Sequence, residues 1–136
     1  MTETPLEPQI VDKIRKSFDA QSLMKTLGAE LGEMSPGKIE VLAPILPGAQ
    51  QQNGFAHAGL TFSLGDVAAG YAALSMMPAE ADVLTVEIKI NLLSPAKGDR
   101  LIARGYVIKP GRRLFVVGAE VLVDQNGTLK PVAMLQ

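Results

Sequence analysis

Apolar positions in residues 8–27 recur at three- and four-residue intervals, as Ile10, Ile14 and Phe18 and then Leu23, Met24 and Leu27, with Asp12, Lys13, Arg15 and Lys16 between them. That spacing predicts an amphipathic helical lead-in, interrupted near residues 19–22. From Ala29 the period shortens: residues 29–34 read as a strand, Ser35-Pro36-Gly37 as a turn, and residues 38–46 as a second strand with Ile39, Val41, Ala43 and Ile45 on one face. The polar run Gln50-Gln51-Gln52-Asn53-Gly54 leads into a long apolar helix over residues 55–77, which Pro78 ends. Beyond it the pattern is β throughout. Residues 84–93 alternate Val86, Ile88, Ile90 and Leu92 against Thr85, Glu87, Lys89 and Asn91; residues 100–109 and 113–124 are strands joined at Pro110-Gly111; Asn126-Gly127 marks a hairpin, with 129–135 returning. A helix followed by a meander of about four strands predicts an α+β plan in which an antiparallel sheet wraps the helix.

At 100° per residue the long helix carries two stripes. Leu60, Leu64, Val67, Tyr71 and Leu74 form an apolar one for the sheet to cover. Gly59, Ser63, Asp66, Gly70 and Ala73 form a second, almost free of bulk, in which Asp66 is the only formal charge between Glu40 and Glu80. A buried carboxylate is costly unless paired or used. The structural reading pairs Asp66 with Arg104 or Lys89; the chemical reading makes it a general base or a nucleophile.

The helix start offers free backbone N–H groups, those of Ala58 and Gly59 among them, that could hold an oxyanion. Gly59 and Asp66 lie seven residues apart, roughly 10 Å along the axis, whereas reacting atoms must approach to about 3–3.5 Å. A carbonyl held at this helix start is therefore out of reach of the same helix's Asp66. The conflict disappears if a second copy of the helix lies antiparallel along the small-residue stripe, so that a two-fold axis creates two composite sites. His57, at the helix entrance, reads as a cap rather than a base.

Composition narrows the class. A chain of 136 residues fits one domain, with residues 1–27 as its lead-in. With 47% hydrophobic and 20% charged residues and a net charge of −1, it lacks the electrostatic footprint of a nucleic-acid or anionic-membrane binder. With no Cys and one His it has no disulfide, no thiolate metal site and no imidazole cluster, so neither metal nor redox cofactor is implied. Met1-Thr2-Glu3-Thr4-Pro5 shows neither a basic nor an apolar leader region, which favours a cytoplasmic location. Residues 55–77 approach the length of a membrane span, but Gly59, Ser63, Gly65, Asp66, Gly70 and Ser75 dilute them and no basic flank anchors either end.

The segment 51–59 (Gln-Gln-Asn-Gly-Phe-Ala-His-Ala-Gly), then Leu64-Gly65-Asp66, then the run from Thr85 to Gly98 resemble the hotdog-fold thioesterases of the PaaI-like group, over roughly residues 37–135. The resemblance implies a hotdog fold, an antiparallel sheet around a long central helix, with active sites across a two-subunit interface in a homodimer or a dimer-of-dimers tetramer. It implies an acyl-CoA substrate hydrolysed to free acid and CoA. By position, Asp66 matches the catalytic carboxylate, Ala58 the residue whose N–H polarises the thioester carbonyl, Gly59 the second Gly of a His-Gly-Gly motif, Gln51 an Asn that positions water or substrate, and Thr85 a Ser near the attacking group. His57, Asn53 and Gly54 fall in the substrate-binding loop. Two departures stand out: Ala58 replaces Gly, and Gln51 is one methylene longer than Asn. The alternatives are a non-catalytic hotdog protein that binds acyl-CoA or a related apolar acid, and a hydratase. The latter is disfavoured because nine residues put His57 and Asp66 on opposite sides of one helix.

Overall fold

The computed structural model describes residues 4–136; Met1, Thr2 and Glu3, three of the five residues on which the expectation about a leader rests, lie outside them. The helical lead-in forms as α1 (Pro8–Ala20) and α2 (Ser22–Thr26), broken at Gln21, where the backbone turns extended. Ile10, Ile14 and Phe18 bury the inner stripe of α1. The strands β1 (Glu30–Ser35) and β2 (Lys38–Pro44) form a hairpin that turns at Gly37, whose φ of 76° suits glycine. Then come α3 (Ala58–Leu74), β3 (Ile90–Leu92), β4 (Arg100–Lys109), β5 (Val116–Gln125) and β6 (Thr128–Leu135).

The six strands make one antiparallel sheet in the order β1-β2-β4-β5-β6-β3. On its inner face Ile39, Val41 and Ala43 of β2 are buried beneath α3 as their alternation predicts, together with Leu101 and Ala103 on β4 and Ala119, Val121 and Val123 on β5. α3 sits unusually deep. A Cβ on Gly105 of β4 would come within 2.2 Å of the Ala68 carbonyl, and a Cβ on Gly65 within 2.8 Å of the Leu135 methyls. Gly105 thus brings the strand backbone against the helix backbone, and Gly65 lets the Leu135 side chain seat against α3.

Three expectations are corrected. The stripe from Leu60 to Leu74 is not covered by the sheet alone. Tyr71 faces α1, its hydroxyl within 2.8 Å of Ser17 Oγ and accepting from Gln21 Nε2 at 2.7 Å, its ring 6.4 Å from that of Phe18. The sheet lies against the neighbouring Gly65–Ala68 side, so α3 is buried on most of its circumference. Second, the helix begins at Ala58 rather than Phe55, because Ala56 is held in an extended bridge to Gln50. Third, of the strand expected over 84–93 only Ile90–Leu92 joins the sheet. Lys89 pairs with Gln136, and residues 84–88 belong to no strand among the described residues. Leu84 and Val86 are left 87% and 81% exposed. No helix among the described residues is long and apolar enough to cross a membrane.

Gly105 and Gly70 predict opposite responses to the same change. Gly105→Ala drives a Cβ into the α3 backbone and should cost at least about 1–3 kcal/mol. A Cβ on Gly70 meets nothing within 4 Å, so Gly70→Ala should gain about 0.5–1 kcal/mol of helix propensity. Urea unfolding midpoints check both, and a Gly105→Ala protein as stable as its parent would contradict the close seating of α3.

Candidate active site

The approach to α3 is tied down before the helix begins. Gln51 and Phe55 close a tight turn, Gln51 N–H donating to the Phe55 carbonyl at 2.9 Å, with Gly54 at φ 84° supplying the left-handed residue. Ala56 N–H donates to the Ala96 carbonyl and His57 N–H to the Ala49 carbonyl, both at 2.9 Å. His57 then leaves the chain extended (φ −64°, ψ 140°) and caps the helix with its ring, Nδ1 accepting from Gly59 N–H at 2.8 Å. Its carbonyl accepts from Leu60 and Thr61.

Four N–H groups at a helix start lack helical acceptors, and here three are taken. The expectation that both Ala58 and Gly59 offer free donors is therefore corrected: Gly59 N–H belongs to His57. Among the described residues, Ala58 N–H alone in this turn has no partner. Ala58 lines a cavity of about 410 Å³ with Gln51, Phe55, Thr61, Leu92 and Leu93. Gln51 Oε1 is occupied, accepting from the N–H groups of Asn53 and Phe55. Its free end is the amide nitrogen, so it can donate into the cavity but not act as an acceptor there. Asn53, Gly54 and His57 build the turn and the cap; none of them lines this cavity.

Asp66 stands two turns further along α3, half-buried rather than buried. Its Oδ1 accepts from the Thr85 hydroxyl at 2.7 Å, which fixes the plane of the carboxylate and leaves the other oxygen for chemistry. The structural pairing with Arg104 does not occur: Arg104 Nε donates to Glu40 at 3.0 Å on the outer face of the sheet. Lys89 is engaged through its backbone with Gln136, its side chain exposed. Asp66 lines a separate cavity of about 380 Å³ between α3 and the segment 82–88, which crosses the small-residue stripe at Asp66 and Gly70. The two cavities are distinct, and neither contains both Ala58 and Asp66. A larger hollow, about 470 Å³, surrounds the Arg104–Glu40 pair on the far side of the sheet and has no connection with either group.

Sequence reasoning missed the walls of both cavities. Leu92 and Leu93 beside Ala58, and Phe115 beside Asp66, come from elements whose mutual placement no local period encodes. Gly70 carried a signal, its place in the small-residue stripe, but not that a cavity opens over it.

A family model of the thioesterase superfamily matches residues 53–130, which include both groups. The crystal structure of a thioesterase family protein from Silicibacter pomeroyi superposes with a TM-score of 0.90 at 43% identity, covering 93% of each chain. The E. coli PaaI protein from the phenylacetic acid degradation operon shares the fold at 24% identity (TM-score 0.84, 96% of this chain and 91% of that one). A thioesterase of Haemophilus influenzae does so at 23% identity (TM-score 0.76, 88% and 82%).

The cap geometry makes a prediction of its own. His57→Ala removes the acceptor for Gly59 N–H and should destabilise the protein by about 0.5–2 kcal/mol, whereas His57→Asn, a strong capping residue, should recover most of it. Thermal unfolding of the two variants checks this; equal stability of His57→Ala and the parent would remove the cap from the account.

Proposed function

The chain belongs to the thioesterase superfamily, with the hotdog fold of its thioester hydrolases, and from that footing we propose that it hydrolyses acyl-CoA thioesters at a site shared between two copies of the chain. The observation that carries this reading is the separation of Ala58 N–H, the one unpartnered donor of the α3 start, from Asp66, eight residues along the same rigid helix in another cavity. Each is half of a hydrolytic site.

A second copy supplies the missing half. β3 is an edge strand with an unpaired side, and the segment leading into it exposes Leu84 and Val86. An apolar free edge invites pairing. If two copies pair antiparallel about a two-fold axis centred near Ile88 and Lys89, position 85 of one falls opposite position 92 of the other. Thr85 is bonded to Asp66, and Leu92 lines the Ala58 cavity, so this pairing carries each Asp66 towards its partner's Ala58.

In the assembled site the thioester carbonyl accepts a hydrogen bond from Ala58 N–H at the positive end of α3, and Gln51 Nε2 donates to the substrate or to water. Asp66 supplies the attacking oxygen, its own or that of a water it deprotonates. That oxygen bonds to the carbonyl carbon, the negative charge moves to the oxygen held by Ala58, and collapse breaks the carbon–sulfur bond. The departing CoA thiolate takes up a proton, the one Asp66 removed from water or, after direct attack, one from solvent water. If Asp66 attacks directly, water then cleaves the resulting anhydride. Thr85 orients the carboxylate throughout. His57, Asn53 and Gly54 serve substrate binding by shaping the turn that presents Ala58.

Asp66→Asn should lower CoA release by on the order of 10² or more with stability unchanged or raised. Ala58→Pro deletes the donor at the first helical position, where proline is welcome and the extended His57 already suits it; turnover should fall about 10²–10³, while Ala58→Gly should cost little. Hydrolysis assays beside melting curves check the set. Near-normal turnover in folded Ala58→Pro or Asp66→Asn would overturn the assignment of that group.

A further inference from the structure

The glycines of this fold differ in what demands them. Gly65 and Gly105 are required by contact, their missing Cβ positions already occupied by Leu135 and by the Ala68 backbone. Gly70 is not: it lies inside α3, where glycine is unfavourable, and a Cβ there would meet nothing within 4 Å. What its bare backbone borders is the cavity beside Asp66. We infer that this cavity receives the acyl group of the substrate, with Gly70 setting how long that group can be. The inference rests on the proposed hydrolysis.

The cavity begins at the carboxylate and follows α3 past Gly70 and Ala73 to Met77 and Phe115, with Ile88 as part of its cover. The charged residues Asp82, Glu87 and Arg113 belong to exposed segments at its margin. Its volume, about 380 Å³, falls in the range of small-ligand pockets. The chain's own segment 82–85 lies beside the stripe at Asp66 and Gly70, so this cavity is walled by the chain itself. From Asp66 to Ala73 is roughly 10 Å along the axis, and carbon–carbon bonds of about 1.5 Å in a zigzag reach that distance in about eight carbons. Gly70 is reached after about 6 Å, or about five carbons. The compartment suits a medium-length or aryl acyl group without charge, and a side chain at position 70 would close its deeper half.

The test compares octanoyl-CoA with butanoyl-CoA in the parent, Gly70→Ala and Gly70→Leu, with the mass of each protein by light scattering and free octanoate binding by calorimetry. The kcat/KM ratio of octanoyl to butanoyl should fall about threefold in Gly70→Ala and at least about tenfold in Gly70→Leu, with mass unchanged. Gly70→Ala alone decides the matter if Gly70→Leu does not fold. An unchanged ratio overturns the inference, as does an equal loss on both substrates accompanied by a change of mass, which would make the stripe a contact for a second copy. If the parent hydrolyses neither ester, the proposed function fails. Octanoate then judges the cavity: binding that weakens at least about tenfold in Gly70→Leu, or about threefold in Gly70→Ala if that is the folded variant, upholds it, and equal or absent binding overturns it.

Discussion

Eight residues of helix hold Ala58 and Asp66 about 12 Å apart, and neither can move relative to the other. A helix transmits no bend over two turns unless something inserts into its ladder, and α3 is pinned along its length. The distance is too great for one thioester to touch the donor and the carboxylate of the same helix. The proposed chemistry therefore calls on a second copy of the chain. The free edge of β3 and the apolar residues before it are the surface through which the chain can acquire one.

The rest of the fold serves to fix that rod and its two working ends. Gly105 lets the sheet close on α3 to backbone contact, and Gly65 lets the Leu135 side chain seat against it. α1 covers the opposite side through Phe18, Ser17 and Gln21 around Tyr71. Lys13 of α1 also donates to the carbonyls of Ala79 and Ala81, at the head of the segment that brings Thr85 to Asp66. At the other end the His57 ring satisfies Gly59 N–H, and the Gln51 turn orients what precedes it. Ala58 takes ordinary helical angles, so its backbone does not require glycine.

Much of this was legible in the chain itself. β2 announces itself by alternation because it buries one face beneath α3, whereas β4, β5 and β6 are marked by the turns between them, Pro110-Gly111 and Asn126-Gly127. Asp66 stands out because it is a lone charge in an apolar helix, and the small-residue stripe because bulk is missing from one line of positions. Other features were hidden for physical reasons. A strand needs a neighbour, and nothing local reveals that of residues 84–93 only Ile90–Leu92 lies against one. Helical periodicity shows that Tyr71 is buried but not that α1, more than fifty residues earlier, buries it. Whether a helix-start N–H is free depends on a rotamer, that of His57, which the sequence does not specify.

The central claim, that one copy's Asp66 works with the other's Ala58, is tested most directly by mixing two crippled proteins. Asp66→Asn and Ala58→Pro are each refolded alone and then together in equal amounts, and CoA release is measured. Random pairing makes half of the dimers hybrid, and each hybrid holds one site with both an intact Asp66 and an intact Ala58. The mixture should therefore regain about a quarter of the parent's activity. A mixture no more active than its separate components, with hybrid dimers demonstrated by mass, would contradict the shared site.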